Sequence, residues 1–372
     1  MNIGIDLLSF ATSRYFFDLK ELANHRNVEY AKYFSGIGQK QMSVFPPNED
    51  IVTLAIAAAE KALTKIEDPS SIDMLIFATE SSFDISKAAG IYVHHFLNLK
   101  SDCRVFDVKQ ACYSMTAALQ MAKDYVFAHP QSKVLVIGSD IVKYSADSSG
   151  EPTQGGAAVA AIISKDPRLM ILEPYSAVCT REVMDFWRPI YKKDALFDGK
   201  LSAQNYLESL KIAFAEYLKK SGLTKSDLDY FCFHCPFCKM VRKAAKLLTV
   251  DNIDNSIVYN SIVGNSCSAS LYVSLISLLD NCSEDLTSKR IGLFSYGSGS
   301  VAEFFSGRIV ENYREVLFSD DNRKQLSSRS EISFEEYEAF RTDSPIDRHY
   351  ENAGNVFLKT IENDKRIYES AR

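Results

Sequence analysis

Cys112 lies in Val105-Phe-Asp-Val-Lys-Gln-Ala-Cys-Tyr-Ser-Met-Thr-Ala-Ala-Leu119, where a short apolar run ends and a helical pattern opens within two residues of the sulfur. A thiol placed there meets unpaired backbone N–H groups and the positive end of a helix dipole, which favour thiolate over thiol. A thiolate takes up acyl groups readily and releases them again, so the position suggests an acyl-enzyme. Most cysteines of intracellular proteins are instead small buried hydrophobes. The chemistry therefore needs an acid/base and an oxyanion donor from elsewhere in the chain.

Three groups share one setting, at or just past the C-terminal end of a predicted buried strand, where ligands gather in α/β folds. Glu80 follows Leu75-Ile-Phe-Ala-Thr79, Cys112 follows Val105-Phe-Asp-Val108, and His234 follows Tyr230-Phe-Cys-Phe233. A carboxylate coming off an apolar strand is partly desolvated, which raises its pKa toward the range useful for general acid/base work. Taken singly, Glu80 can equally cap the segment 81–87, and a lone histidine is more often a satisfied core residue. Taken together, and with the turn Ser295-Tyr-Gly-Ser-Gly-Ser300, the three point to one shared site.

The run Cys232-Phe-His-Cys-Pro-Phe-Cys238 offers two Cys-x-x-Cys spacings and a histidine, which invites a zinc or iron–sulfur assignment. No second cysteine pair stands at ligand spacing, and strand alternation sends Cys232 and Phe233 to opposite faces, so no metal is expected. The turn at Gly297-Ser-Gly-Ser300 lacks the Gly-Lys-Ser/Thr of a phosphate loop. After His234, Lys239, Lys243 and Lys246 recur at helical spacing, with Met240, Val241, Ala244, Leu247 and Leu248 on the other side. Such a basic stripe is usually a solvated face. Beside an acyl-transfer cysteine it can also hold the phosphates of coenzyme A.

The elements that must position these groups alternate between strand-like and helix-like runs, which predicts an α/β fold. Helices are expected over 51–64, 86–97, 112–127, 203–220, 237–248 and 268–280. Strands are expected over 73–79, 103–108, 133–139, 157–164 and 228–233, with a hairpin over 290–296 and 300–310. The turn-rich Ser148-Ser-Gly-Glu-Pro-Thr-Gln-Gly-Gly156 forms a waist, and similar βαβαβ content on either side suggests an internal duplication. The halves are read as 1–165, carrying Glu80 and Cys112, and 166–372, carrying His234, with a charged, surface-wrapping extension from about 318.

A chain of 372 residues can bury a large core, and 46% hydrophobic against 24% charged residues is a globular composition. A net charge of −6 argues against general nucleic-acid binding, which needs a basic footprint. The opening Met1-Asn-Ile-Gly-Ile-Asp-Leu-Leu-Ser9 reads as a first strand, and no uncharged apolar run is long enough to cross a bilayer. A soluble, cytoplasmic protein without a membrane partner is expected. Eight cysteines are too sparse for a disulfide scaffold and are expected to be reduced.

The ordered motifs resemble the 3-hydroxy-3-methylglutaryl-CoA synthase family in its shorter bacterial form, within the thiolase superfamily. The resemblance runs from Ile3-Gly-Ile-Asp6 to about Gly307. Its landmarks include Ala78-Thr-Glu80, Ala111-Cys-Tyr113, Gly150-Glu-Pro-Thr-Gln-Gly155, Asp185-Phe-Trp-Arg-Pro189, Asp198-Gly-Lys-Leu-Ser202, Phe233-His-Cys-Pro-Phe-Cys-Lys239, Val263-Gly-Asn265 and Ser295-Tyr-Gly-Ser-Gly-Ser300. It implies a thiolase-like fold, two similar halves packed as a layered αβαβα core. The implied reaction condenses acetyl-CoA with acetoacetyl-CoA, with no separate cofactor and no metal. Cys112 would carry the acetyl group and Glu80 would be the general acid/base. His234 would polarise the acceptor carbonyl, with Asn265 nearby, and Ser298 and the Cys112 N–H would serve the thioester oxyanion. Asp140, Asp198 and Tyr144 match supporting positions, and Lys239 and Lys243 match the region that meets coenzyme A. Superfamily analogy implies a homodimer.

The sequence departs from the family's pattern in three places. Ser266-Cys-Ser-Ala-Ser270 stands where bacterial relatives usually carry an aromatic residue and a glycine. Gln110 replaces a common Glu, and the extension from about Phe318 matches only loosely. Three rivals remain. The first is the same addition on carrier-protein-bound substrates, as in polyketide β-branching. The second is a β-ketoacyl-carrier-protein synthase III-like enzyme, which would not need Glu80. The third is a non-enzymatic thiolase-fold scaffold, which would need a decayed site.

Overall fold

In a computed structural model, the described residues are 1–192, 194–342 and 350–371. Nine strands form one mixed sheet: β1 (Ile3–Ala11), β2 (Ile72–Ala78), β3 (Arg104–Val108), β4 (Lys133–Val142), β5 (Gly155–Lys165), β6 (Met170–Thr180), β7 (Tyr230–Phe233), β8 (Arg290–Gly297) and β9 (Val301–Ile309). Their spatial order is β7-β8-β9-β6-β1-β5-β4-β2-β3. Within it one pattern occurs twice. The first strand of each half pairs antiparallel with the last, β1 with β5 and β6 with β9. The last strand pairs antiparallel with its predecessor, β5 with β4 and β9 with β8. That predecessor then runs parallel to an earlier strand, β4 to β2 and β8 to β7. The halves meet where Gly4 and Ile5 face Ile171 and Met170, and a Cβ on Gly4 would lie 2.0 Å from the Met170 carbonyl oxygen.

Helices fill the remaining layers: α1 (Ile51–Leu63), α2 (Ala89–Phe96), α3 (Ser114–Ala128), α4 (Gly199–Ser221), α5 (Cys238–Leu248) and α6 (Ser270–Asn281). α1 covers β1, β4 and β5 from outside, and α4 covers β6 and β9. α6 is buried along nearly its whole length and joins α3 in the layer between the two halves. Such all-round burial suits its sequence, Ser-Leu-Tyr-Val-Ser-Leu-Ile-Ser-Leu-Leu, in which small hydroxyls alternate with apolar side chains. Asp50 caps α1 by accepting hydrogen bonds from the N–H groups of Val52 (2.9 Å) and Thr53 (3.2 Å).

Each element expected from periodicity is present, with boundaries moved by a few residues. β6 was not foreseen. Pro174 interrupts its pattern, and the structure seats that proline in a register break between Phe305 and Gly307 of the neighbouring β9, where no ladder donor is needed. The C-terminal segment is more than a surface wrap, although its residues 343–349 lie outside the described residues. Its helices α7 (Ser319–Ser327) and α8 (Phe334–Thr342) precede a hairpin of Val356–Glu362 and Lys365–Ser370. Ile332, Tyr337, Phe340 and Tyr350 share a small core with Tyr15, Phe17, Leu22 and Met42, where Tyr337 stacks on Phe17 at 4.7 Å between ring centroids.

Candidate active site

The strand ends carry the three candidate groups. Glu80 stands two residues beyond β2, Cys112 four beyond β3, and His234 directly after β7. Between β3 and α3 the chain turns sharply. Ala111 takes φ = 42°, the Ser114 hydroxyl donates to the Ala111 carbonyl (2.7 Å), and that same hydroxyl accepts the Gln110 N–H (2.7 Å). The β8–β9 turn closes over this bend, with the Gln110 amide donating to the Ser298 carbonyl at 3.1 Å. Only glycine fits at 297, because a Cβ there would lie 2.6 Å from the Gln110 carbonyl oxygen and 2.7 Å from the Tyr113 nitrogen.

A second close approach sets Asn265. Gly264, at φ = 85°, lies so near residue 154 that a Cβ would stand 1.9 Å from the Gln154 carbonyl oxygen, and the Asn265 N–H donates to Thr153 at 3.1 Å. The Asn265 side-chain oxygen then accepts the Cys267 N–H (2.9 Å). Asp140 knits the β2 end to the segment before α6. One carboxylate oxygen accepts from the Thr79 and Ser81 hydroxyls (both 2.7 Å) and the Glu80 and Ser81 N–H groups (2.9 and 3.0 Å). The other accepts from the Ser268 N–H (3.0 Å) and hydroxyl (2.5 Å).

A cavity of about 260 Å³ results, whose lining includes Cys112, Tyr144, His234, Asn265, Cys267 and Ser298. Phe186, Phe197 and Met240 supply apolar wall. Among the described residues, Glu80, Cys112 and Cys267 are the one group of three ligand-type side chains whose reactive atoms lie within 4.8 Å of one another. A cation there would occupy the Cys112 sulfur and the Glu80 carboxylate together. In the Cys232–Cys238 run, Cys232 packs in the core between the halves and Phe233 in the core under α4 and α5, as alternation requires.

Electrostatics separates the three groups. Burial, with the Asp140 charge behind it, pushes the Glu80 carboxyl up to about 7, and its Oε2 is buried without a hydrogen-bond partner. Burial alone draws His234 down to about 3, leaving a neutral imidazole whose Nδ1 is also unpartnered. Its backbone is pinned instead: the N–H donates to Phe294 (2.8 Å) and the carbonyl accepts the Tyr206 hydroxyl (2.8 Å). For Cys112 the expected thiolate does not follow. A hydrogen bond with Cys267 lowers its pKa, but burial and the charges of Glu80 and Asp140 outweigh that and push the thiol up to about 11. The first turn of α3 begins only at Ser114, and two nearby acids override its dipole.

The remaining expected residues divide. Tyr144 packs edge-on against Phe197 (5.2 Å) and Phe186 (6.3 Å) as cavity wall. Asp140 lies behind the cavity as the tie described above. Asp198 is outside it: exposed, it caps α4 by accepting the N–H groups of Lys200 (3.1 Å) and Leu201 (3.0 Å). Lys239 and Lys243 are exposed on α5, whose buried Met240 lines the cavity. Leu247, expected on the apolar face, is instead 42% exposed. Glu80 caps nothing, since 81–87 forms no helix.

Sequence reasoning passed over two groups. Cys267 appeared only as a departure from the family, yet its sulfur lies 3.2 Å from that of Cys112. Asp185 braces the β8–β9 turn by accepting the Tyr296 hydroxyl (2.7 Å) and the Gly299 N–H (2.9 Å). Its sequence signal was its place in the Asp185-Phe-Trp-Arg-Pro189 block.

An α/β core in which one strand pattern occurs twice, a cysteine and a neutral histidine lining one cavity, and a carboxylate of raised pKa within 4.8 Å of the cysteine sulfur define a thiolase-like acyl-CoA condensing enzyme. Comparison with known proteins narrows that class. The sequence model "hydroxymethylglutaryl-coenzyme A synthase N terminal" matches residues 1–167, and its C-terminal counterpart matches 170–256 and 244–353. The chain is 42% identical to a hydroxymethylglutaryl-CoA synthase of Enterococcus faecalis, covering 100% of both chains. It is 34% identical to a polyketide biosynthesis 3-hydroxy-3-methylglutaryl-ACP synthase of Bacillus subtilis, covering 91% of this chain and 87% of that one. Among solved structures, an HMG-CoA synthase complexed with CoA superposes with a TM-score of 0.94 at 39% identity, covering 100% of both chains. The chain belongs to the hydroxymethylglutaryl-CoA synthase family.

Proposed function

We propose that this enzyme condenses acetyl-CoA with acetoacetyl-CoA to give 3-hydroxy-3-methylglutaryl-CoA and free CoA. The observation that carries the reading is the Glu80 carboxylate within 4.8 Å of the Cys112 sulfur, which lines one cavity with neutral His234 and Asn265. Cys112 sulfur attacks the acetyl-CoA carbonyl and CoA leaves with the thiol proton, forming acetyl-Cys112. Glu80, ionised above about 7, removes a methyl proton from that thioester. The carbon nucleophile adds to the C3 carbonyl of acetoacetyl-CoA, which His234 polarises through a ring N–H and Asn265 helps to hold. Protonated Glu80 returns its proton to the new alkoxide. Water then cleaves the Cys112 thioester, freeing the product. The Cys112 N–H and Ser298 stabilise the oxyanions of the two thioester steps.

Lys239 and Lys243 offer cations to the phosphates of coenzyme A, and the substrates are the only coenzyme this chemistry requires. No helix of the described residues is long and apolar enough to cross a membrane. The reading further implies a cytoplasmic homodimer of the mevalonate route to isoprenoids. Carrier-protein-bound substrates are the second reading, supported by the Bacillus subtilis relative at 34% identity. The deciding experiment incubates the purified enzyme with acetyl-CoA and acetoacetyl-CoA, without carrier protein, and follows 3-hydroxy-3-methylglutaryl-CoA by mass. Product is expected. Its absence, with turnover restored by acyl carrier protein, would give the second reading the place of the first.

A further inference from the structure

The mechanism above makes no use of Cys267, yet this side chain is placed with care. Its backbone sits at φ = 44°, its N–H is held by Asn265 at 2.9 Å, and its sulfur lies 3.2 Å from the Cys112 sulfur. Both residues line the cavity, so a small solute entering it meets the pair. The other six cysteines are buried, as Cys267 is, but none of them lines that cavity. A disulfide needs the two sulfurs about 1 Å closer together than they stand here.

We propose that Cys112 and Cys267 form a redox modification site that a hydroperoxide converts to an intramolecular disulfide. The Cys112 thiol passes its proton to the Glu80 carboxylate, its sulfur attacks the terminal peroxide oxygen, the O–O bond breaks to give a sulfenic acid, and the proton leaves with the departing oxygen as an alcohol, or as water from hydrogen peroxide. The Cys267 sulfur then attacks the sulfenic sulfur, the S–S bond forms, and the sulfenic hydroxyl leaves as water with the Cys267 proton. The two thiols lose two electrons and two protons, and the peroxide O–O bond takes up both electrons. The link removes the nucleophile reversibly and diverts Cys112 from sulfinic and sulfonic acids, which a thiol reductant does not restore. It also joins segments 155 residues apart, one from each half.

The formation of the link stands on geometry alone, whereas the loss of turnover rests on the proposed role of Cys112. The test treats the full-length enzyme with hydrogen peroxide, measures intact mass, maps linked peptides, and assays turnover before and after dithiothreitol. The expected result is a loss of about 2 Da, a Cys112–Cys267 peptide, at least tenfold lower turnover and recovery on reduction. Cys267→Ser and Cys267→Ala, each compared with its own untreated activity, are expected to gain 32 or 48 Da at Cys112 and to stay inactive after reduction. Thermal melts of both variants report whether the fold is retained. No mass loss in the parent enzyme, a link between Cys235 and Cys238 instead, or full recovery of either variant on reduction overturns the proposal. A Cys112–Cys267 link that leaves turnover intact would uphold the pairing and count against Cys112 as the acyl carrier.

Discussion

Two residues of the site have their charge states set by what surrounds them. Glu80 and His234 would titrate near 4.5 and 6.5 in water, and the fold moves them to about 7 and about 3. Turnover should therefore rise with pH through about 7, and that limb belongs to Glu80, since His234 stays neutral throughout. The same shift sets a stability window. Between 4.5 and about 7 the folded chain holds a proton on Glu80 that the unfolded chain has lost, so stability falls as pH rises through that interval. Glu80→Gln is expected to lower condensation by about 10³-fold while Cys112 acetylation stays measurable. The variant should also be more stable at pH 8, by up to about 3 kcal/mol, with the gain shrinking toward pH 5. Steady-state pH profiles, acetyl labelling and thermal melts at the two pH values check all three.

At the scale of elements, positions at strand ends were legible and contacts between loops were not. Strand β3 and helix α3 could be read from periodicity, and with them the bend that exposes Cys112. That the β8–β9 turn closes on this bend could not be read, because Gln110 and Gly297 are far apart in sequence and carry no shared pattern. The same limit explains Asp198. Its place in a family motif suggested a supporting role at the site, and its contacts show that it caps α4. The tight fit at Gly297 is testable. Gly297→Ala places a methyl group 2.6–2.7 Å from backbone atoms of the Cys112 bend, so the turn must retreat. A displacement on the order of 1 Å is expected to slow Cys112 acetylation by about 10²-fold. Stability should fall by about 1–3 kcal/mol. Intact-mass measurement of acetylation against time, beside a thermal melt, separates the two effects.

Across the whole molecule, one buried carboxylate joins segments that no local rule connects. Glu151 has a side chain only 2% exposed and sits in the turn that divides the halves. It accepts from Arg26 (2.8 Å), Arg341 of α8 (3.3 Å) and the Tyr337 hydroxyl (2.9 Å). Removing it leaves Arg26 with Glu338 (2.6 Å) and Asp147 (3.2 Å), Arg341 with Glu338 (3.8 Å), and the Tyr337 hydroxyl without its acceptor. Glu151→Ala is expected to cost about 1–3 kcal/mol, read from denaturant unfolding. Arg341 also donates to the Tyr144 carbonyl at 3.0 Å, so the loss should reach the cavity wall and reduce turnover even in the folded fraction.

The sequence by itself determined the alternation of strands and helices, the strand ends bearing Glu80, Cys112 and His234, and through its ordered motifs the family. These are local properties, carried by periodicity and by residue type. Only the tertiary structure decided that Cys112 rests as a thiol, that Cys267 touches it, that Asp140 ties Glu80 to the segment before α6, and that the C-terminal extension completes a core begun at Tyr15. Burial and the distance between charges are long-range quantities, and they exist only once the halves have closed.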